Sequence, residues 1–268
     1  MNYYLDFIPS EKFLDKLKSL KASLPEDVII ANVYLKSLPA MNPNESIYMT
    51  NQEADKYIKL LIKNKIKVNI MLNVFCYGNH EFSEDGKDIL KKIDDVLTYK
   101  IYSVTATNHF FINYLRRRHK ETKIIASEFG EIENIQKVAR YIDNIGVDAV
   151  KVDFALGKNK AQMKNIINHY SPSQIHIDMN RLYFFNDIFR ESFNNTISHY
   201  IHDGRWDDVR KYISIYKADQ RKLGNRPRRF TKKNLLTNQE LGYINFWFYY
   251  NLNESEDKYL EKFIALIK

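Results

Sequence analysis

The sequence predicts an α/β protein built as a single (β/α)8 TIM-type barrel, with a doubly wound open sheet as the alternative. Three observations predict it. The hydrophobic period switches repeatedly between about two, the spacing of a half-buried strand, and about 3.6, the spacing of an amphipathic helix. Eight strand-like segments alternate with helical ones. The 268 residues lie within the range of one such barrel, and no tract rich in Pro, Gly or Ser divides them.

The first strand is read at Tyr3–Ile8 and the first helix from Ser10 to Leu24, where Phe13, Leu14, Leu17 and Leu20 share a face. Val28–Leu35 is the second strand, followed by a long loop through KSLPAMNPNES. Thr50 and Glu53 form a capping box for the next helix, the hydroxyl taking an orphan amide and the carboxylate reaching back. KVNIMLNVF is the third strand, and DILKKIDDVL lies in the third helix. IYSVTA, KIIAS and DAVKVD follow as strands, with helices at NHFFINYLRRRH, IENIQKVARYIDNI and KAQMKNIINHY; Gly146 ends the second of these as a C-cap residue. QIHID is the seventh strand. An extended, partly helical connection, Asn186–Lys233, precedes the eighth at YINFWFYYN, and Asn253 with Glu256 is expected to cap the last helix.

A hydrophobic share of 44% supplies a core and excludes a disordered chain. The start, MNYYLDFIPSEK, carries an acid at Asp6 and lacks the basic-then-apolar plan of a secretory signal. No apolar run is long enough to span a bilayer, so a cytoplasmic protein without a membrane partner is expected. The single cysteine, Cys76, excludes an internal disulfide, a four-thiolate zinc site and a self-contained Fe–S cluster. The net charge of +8 favours anionic partners. Its densest segment, RKLGNRPRRFTKK, holds Arg221, Arg226, Arg228, Arg229, Lys232 and Lys233. It reads either as a solvated loop or as a contact for RNA or an acidic protein.

Strand alternation sorts the polar residues onto the barrel interior. Val150 and Val152 face the helices, which leaves Ala149, Lys151 and Asp153 inside. By the same rule His176 and Asp178 point inward opposite Ile175 and Ile177, and Tyr4 and Asp6 opposite Leu5 and Phe7. Asn32, Tyr34, Asn73, Ser103, Thr105, Thr107 and Ser127 add further polar groups. Barrel interiors are normally layers of branched apolar chains, and active sites sit at the strand C-terminal ends. A buried charge also needs a partner. The cluster therefore points to a site, against the alternative of an internal hydrogen-bond network.

Three chemistries fit it. Lys151 can form a Schiff base with Asp153 relaying protons; GVDAVKVD resembles the deoxyribose-phosphate aldolase type there. Asp6, Asp153 and Asp178, with His176, can hold a divalent metal. Paired carboxylates can act as acid and base in hydrolysis. No GxGxxG, P-loop, HExxH or GxSxG motif is present. His109, His119 and the NHEF stretch from Asn79 read as loop or helix-surface residues, and Cys76 as a thiol with no neighbour in sequence to activate it.

VNIMLNVFCYGN, the long stretch from VTATNHFF to DAVKVD, and IHIDMN leading to FRESFNNTISH together resemble the collagenase-like peptidases of family U32. FTKKNLLTNQELGYINFWF is similar to a later segment of that family. The resemblance implies a barrel, a peptidase activity, and an Arg and Asn/His-rich stretch matched by Arg190, Asn194 and His199. Relatives that hydroxylate RNA or a quinone precursor carry cysteine-bound Fe–S; Tyr183 and Asp187 stand near where those cysteines are expected.

After the seventh strand, Asn180 and Arg181 are expected at the mouth, beside a wall of Tyr183, Phe184 and Phe185. Arg190 is suited to grip a carboxylate or phosphate. Phe184, Phe185, Phe189 and Phe193 read better as the buried face of a helix. The expected enzyme uses Lys151, Asp153 and Asp178 for catalysis on a small anionic or peptide-like substrate. Asp6, Asn73, His176, Asn180, Arg190 and His199 bind it. The alternatives are a Schiff-base lyase and a non-catalytic barrel that holds RNA or a partner through Arg221–Lys233.

Overall fold

The computed structural model describes residues 1–268 except 43, 75–82, 181–182, 185–189, 223–226, 229 and 252–253. Strand β1 (Asn2–Asp6) pairs in parallel with β2 (Val28–Leu35). A two-residue strand, β3 (Tyr48–Met49), extends the outer end of β2 from within the long loop. From β2 the sheet continues, always parallel, through β4 (Lys67–Leu72), β5 (Ser103–Ala106), β6 (Ile124–Ala126), β7 (Ala149–Lys151) and β8 (Ile175–Asp178). β9 (Tyr183–Phe184) and β10 (Pro227–Arg228) form a separate antiparallel pair. β11 (Asn245–Phe248) lies between β8 and β1 and closes the cylinder, as the eighth barrel strand expected at YINFWFYYN.

Helices cover the outside of the barrel: α1 (Glu11–Ser23), α2 (Asn51–Lys63), α3 (Glu84–Leu97), α4 (His109–Arg118), α5 (Ile135–Ala139), α6 (Phe154–Gly157) and α7 (Lys160–Ile167). In α1 the residues Phe13, Leu14, Leu17 and Leu20 are buried, and Ser10 caps the helix by accepting from the Phe13 amide. The capping box of α2 forms as expected. α5 runs on into a π-helical turn, Arg140–Ile145, which stops at Gly146 with φ +81°. The left-handed backbone there is open to glycine without strain.

The extended connection is a helical pair, α8 (Arg190–His202) and α9 (Trp206–Lys222), joined face to face where Phe193 stacks on Tyr216 with ring centroids 3.9 Å apart. α10 (Lys232–Glu240) and α11 (Glu256–Ile267) complete the chain. The last cap differs from expectation. Ser255, adjacent to the first helical residue, accepts from the Lys258 amide, whereas Glu256 already stands in the first turn; Asn253 lies outside the described residues. Among the described residues no helix is long and apolar enough to cross a membrane.

The expected sidedness holds along the barrel strands. Leu5, Phe7, Val150, Val152, Ile175 and Ile177 are buried beneath the helices, and the polar partners of the alternation are buried in the interior. A hydrophobic layer on one side and a sealed polar lumen on the other are what place charged groups in contact.

Candidate active site

Asp6, Lys151 and Asp178 are the last residues of β1, β7 and β8. Each has zero solvent exposure. The Lys151 ammonium contacts the Glu128 carboxylate and lies 3.5 Å from Asp178 Oδ1. Its Nζ also sits 4.5 Å from the ring centroids of both Trp247 and Tyr249. A cation held against two aromatic faces gains quadrupole attraction, which is strongest when water is excluded. Despite these charge contacts, neither Lys151 Nζ nor either Asp178 oxygen makes an aligned hydrogen bond among the described residues.

Burial governs the protonation of this cluster. Desolvation pushes the Asp178 carboxyl up to about 6, although the attraction of Lys151 opposes it. Desolvation likewise pulls Lys151 down to about 8, against the carboxylates of Asp178 and Asp6. Burial thus brings the two groups to either side of neutrality, a range suited to proton transfer.

His176, on β8, accepts from Trp247 Nε1 at its Nδ1 (2.9 Å), so its own proton is on Nε2. Neither that atom nor the Tyr4 hydroxyl, both buried, makes an aligned hydrogen bond among the described residues. Burial holds His176 well below its usual range, in the neutral form. Tyr4 stacks on Trp247, with centroids 4.3 Å apart and planes 7° apart. Register explains the assembly: Tyr4 pairs with Trp247 across β1–β11, Trp247 with Asp178 across β11–β8, and Lys151 with His176 across β7–β8.

The rest of the lumen is a connected network. Asp6 Oδ1 accepts from Asn32 Nδ2 (3.2 Å) and Tyr34 Oη (3.1 Å), and Oδ2 from Asn42 Nδ2 (3.2 Å) and the Tyr250 amide (3.0 Å). Asn69 Nδ2 donates to Asn32 Oδ1 (3.1 Å), and Ser103 and Thr105 donate to Asn69 Oδ1. Desolvation still raises Asp6 to about 6, because four donors offset only part of the burial penalty.

Several expected site residues do local work. Asn73 donates to the carbonyl of Met41 and accepts from its amide, pinning the loop after β2 onto the end of β4. Asn180 does the same to the backbone of Tyr249 after β11. Thr107 donates to the Asn73 carbonyl, and Ser127 to Glu128 Oε2. Asp153 caps α6 by accepting from the Ala155 amide, because the chain turns away immediately after β7. The ion pairs of Lys151 thus run to Glu128 and Asp178, not to the neighbouring Asp153. Among the described residues no three His, Cys, Asp or Glu side chains converge to hold a metal.

Arg190 opens α8 and His199 lies on its exposed side; the Arg190 side chain is outside the described residues. Cys76, the NHEF stretch, Arg181, Phe185, Asp187, Phe189, Arg226 and Arg229, and the side chains of Tyr183, Phe184, Arg221 and Arg228, are outside them too. Lys232 and Lys233 are exposed at the first turn of α10.

No protein-family model matches the chain, and no curated protein is significantly similar to it. Among solved structures, "The Structure of the U32 Peptidase Mk0906" matches with a TM-score of 0.59 at 20% identity, over 76% of this chain and 77% of that one. The fold is U32-like. "The crystal structure of AsfvAP:AG" matches with a TM-score of 0.45 at 10% identity, over 95% of this chain and 91% of that one, too weakly to carry an argument.

Sequence reading missed Glu128, Trp247 and Tyr249 as members of the site. Glu128 falls in a single 3-10 turn just past the KIIAS strand, where strand alternation no longer applies. The aromatic run was legible as a strand, but nothing in it announces a cation beside the rings.

Proposed function

We propose that this barrel is an enzyme in which Asp178 and Lys151, supported by Glu128, carry acid–base chemistry on an anionic or peptide-like substrate at the strand C-terminal ends. The observation that supports it most is that Asp178 and Lys151, in a fully buried, oppositely charged cluster, meet as charges without an aligned hydrogen bond among the described residues. A structural ion pair would normally have its remaining lone pairs and protons satisfied. Their unused hydrogen-bonding capacity is what a reacting group would take up.

In amide hydrolysis the Asp178 carboxylate takes a proton from water as the water oxygen attacks the carbonyl carbon. The Lys151 ammonium stabilises the negative charge that forms on the carbonyl oxygen. The proton then passes from Asp178 to the leaving nitrogen as the C–N bond breaks. Peptide-like substrates come first because the structural neighbour is named a peptidase. Access requires groups at the mouth to move, since Lys151 and Asp178 are closed to solvent.

A second reading is a Schiff-base lyase, favoured by the lowered Lys151, whose neutral amine is the nucleophile. One experiment separates the two. The protein, Asp178→Asn and Lys151→Met are incubated with a peptide library and, in parallel, with carbonyl compounds plus borohydride, and products are read by mass spectrometry. Hydrolysis that falls about 100-fold or more in both variants, with the fold retained, supports the first reading. A covalent adduct on Lys151 supports the second. Full hydrolysis by both variants removes the assignment.

A further inference from the structure

A second feature of the strand C-terminal face lies apart from the Lys151 cluster. A cleft of about 370 Å³ opens between the connections that follow β5 and β6, walled by Asn108, His109, Gly130, Arg140 and Tyr141. Its volume is that of a small-molecule site, and it occupies the face on which barrels bind ligands.

The π-helical turn builds one wall. It begins at Arg140 and presents Arg140 and Tyr141, consecutive residues, to the same cavity. Such turns insert an extra residue into a helix and recur at functional positions. The Tyr141 ring rests on Gly130, where a Cβ would lie 2.3 Å from the phenol oxygen, so only glycine permits this seat. The next residue, Glu131, holds a left-handed φ of +54°, uncommon outside glycine. His109 stands edge-on to Tyr141, centroids 5.7 Å apart, at the first residue of the ten-residue α4.

The charges sort themselves within the cleft. Glu131 Oε2 is 3.9 Å from Lys137 Nζ, which also pairs with Glu133 Oε1 at 3.0 Å. Arg140 has no carboxylate partner among the described residues, although Glu131 lines the same cavity. The His109 imidazole is held below its usual range, first by desolvation and then by the Arg140 charge. Among the described residues the Arg140 guanidinium is therefore the cation of this cleft that no carboxylate holds, and it stands in the same lining as His109.

We infer that this cleft binds a small ligand through an oxyanion group, a carboxylate or a phosphate, received by the Arg140 guanidinium with His109 and the opening turn of α4 beside it. A planar guanidinium matches both anions in bidentate fashion. The first amides of a helix add partial positive charge on the same side. The site stands independently of the chemistry proposed for Lys151, because it shares none of its residues.

The test is NMR on protein labelled at Arg and His side chains, titrated separately with inorganic phosphate and with acetate. Binding is expected to shift the Arg140 Nε–H and His109 ring resonances saturably. An anion placed between the two also raises the His109 pKa, so His109 should titrate higher in the saturated protein than in the free one. Arg140→Gln should weaken binding by about tenfold or more, while replacing Lys232, an exposed cation outside the cleft lining, by Ala should leave it unchanged. The anion with the higher affinity identifies the ligand class. Unsaturable shifts, or equal affinity in Arg140→Gln and the unmodified protein, overturn the proposal. Arg140 is exposed, so its replacement does not threaten the fold.

Discussion

The two sides of the barrel lumen solve the burial of polar groups in opposite ways. Along β1, β2, β4 and β5, Asp6, Asn32, Asn69, Ser103 and Thr105 form one hydrogen-bonded chain, and each amide in it is used as donor and acceptor. Along β7 and β8, Lys151, His176 and Asp178 face one another with oxygens and nitrogens left over. Both are fully buried. A completed network holds strand ends together and rigidifies them, whereas an incomplete one costs free energy in the resting protein. The difference directs the search for chemistry to the β7–β8 side, where buried charged groups keep hydrogen-bonding capacity among the described residues.

That contrast breaks most visibly at Lys151. Lys151→Met removes the only cation paired with Glu128 and Asp178 among the described residues. We expect a loss of about 3–5 kcal/mol at pH 7.5, measured by denaturant unfolding. The loss should shrink toward pH 5 as the abandoned carboxylates take up protons. Adding Asp178→Asn should recover part of it. A loss that does not change with pH would mean that the lysine acts by packing alone.

Asn69→Ala tests the other side. It leaves Asn32, Ser103 and Thr105 without their partner, and a cost of about 2–3 kcal/mol is expected. Turnover should be preserved once the protein is folded. Loss of turnover at unchanged stability would erase the distinction between the two sides.

A third test sharpens the comparison through pH. The folded Asp178 carboxyl titrates at about 6, above the ordinary 3.8, so the native state binds the proton more tightly than the unfolded state does. Its contribution to stability is therefore fully present below about 4 and is lost as pH rises through 6. Asp178→Asn removes that segment. The stability of the variant minus that of the unmodified protein should rise across this window by on the order of 2 kcal/mol. A difference that stays flat, or falls, contradicts the burial-driven shift. The smallest effect is expected at the surface: Lys232→Ala with Lys233→Ala should change stability by less than about 0.5 kcal/mol. The same pair would lower the salt sensitivity of RNA binding if the basic segment contacts RNA.

Much of this was legible in the sequence, and for a physical reason. Period-two alternation assigns each strand residue to the core or the lumen without reference to tertiary structure. Lys151, Asp178, His176, Asp6 and Tyr4 were placed inside for that reason, and the closed barrel of eight strands followed from the same rhythm. Partnership was less legible. Asn73 and Asn180 each bond to a backbone segment distant in sequence, 32 and 69 residues away respectively, a pairing that strand alternation does not encode. Glu128 entered the cluster from a turn, and Arg140 reached its cleft through a π-helical turn, two irregularities that no regular period encodes.

Asp178 is a buried carboxyl without an aligned hydrogen bond among the described residues, raised toward neutrality beside a buried lysine. The direct measurement is a pH titration of the aspartate side-chain ¹³C resonances, with Asp178 assigned by its absence in Asp178→Asn. The account predicts a midpoint at about 6 for Asp178, moving upward in Lys151→Met as the stabilising cation is removed. A midpoint at or below the ordinary 3.8, unmoved by that substitution, would show a satisfied structural ion pair and would contradict the account.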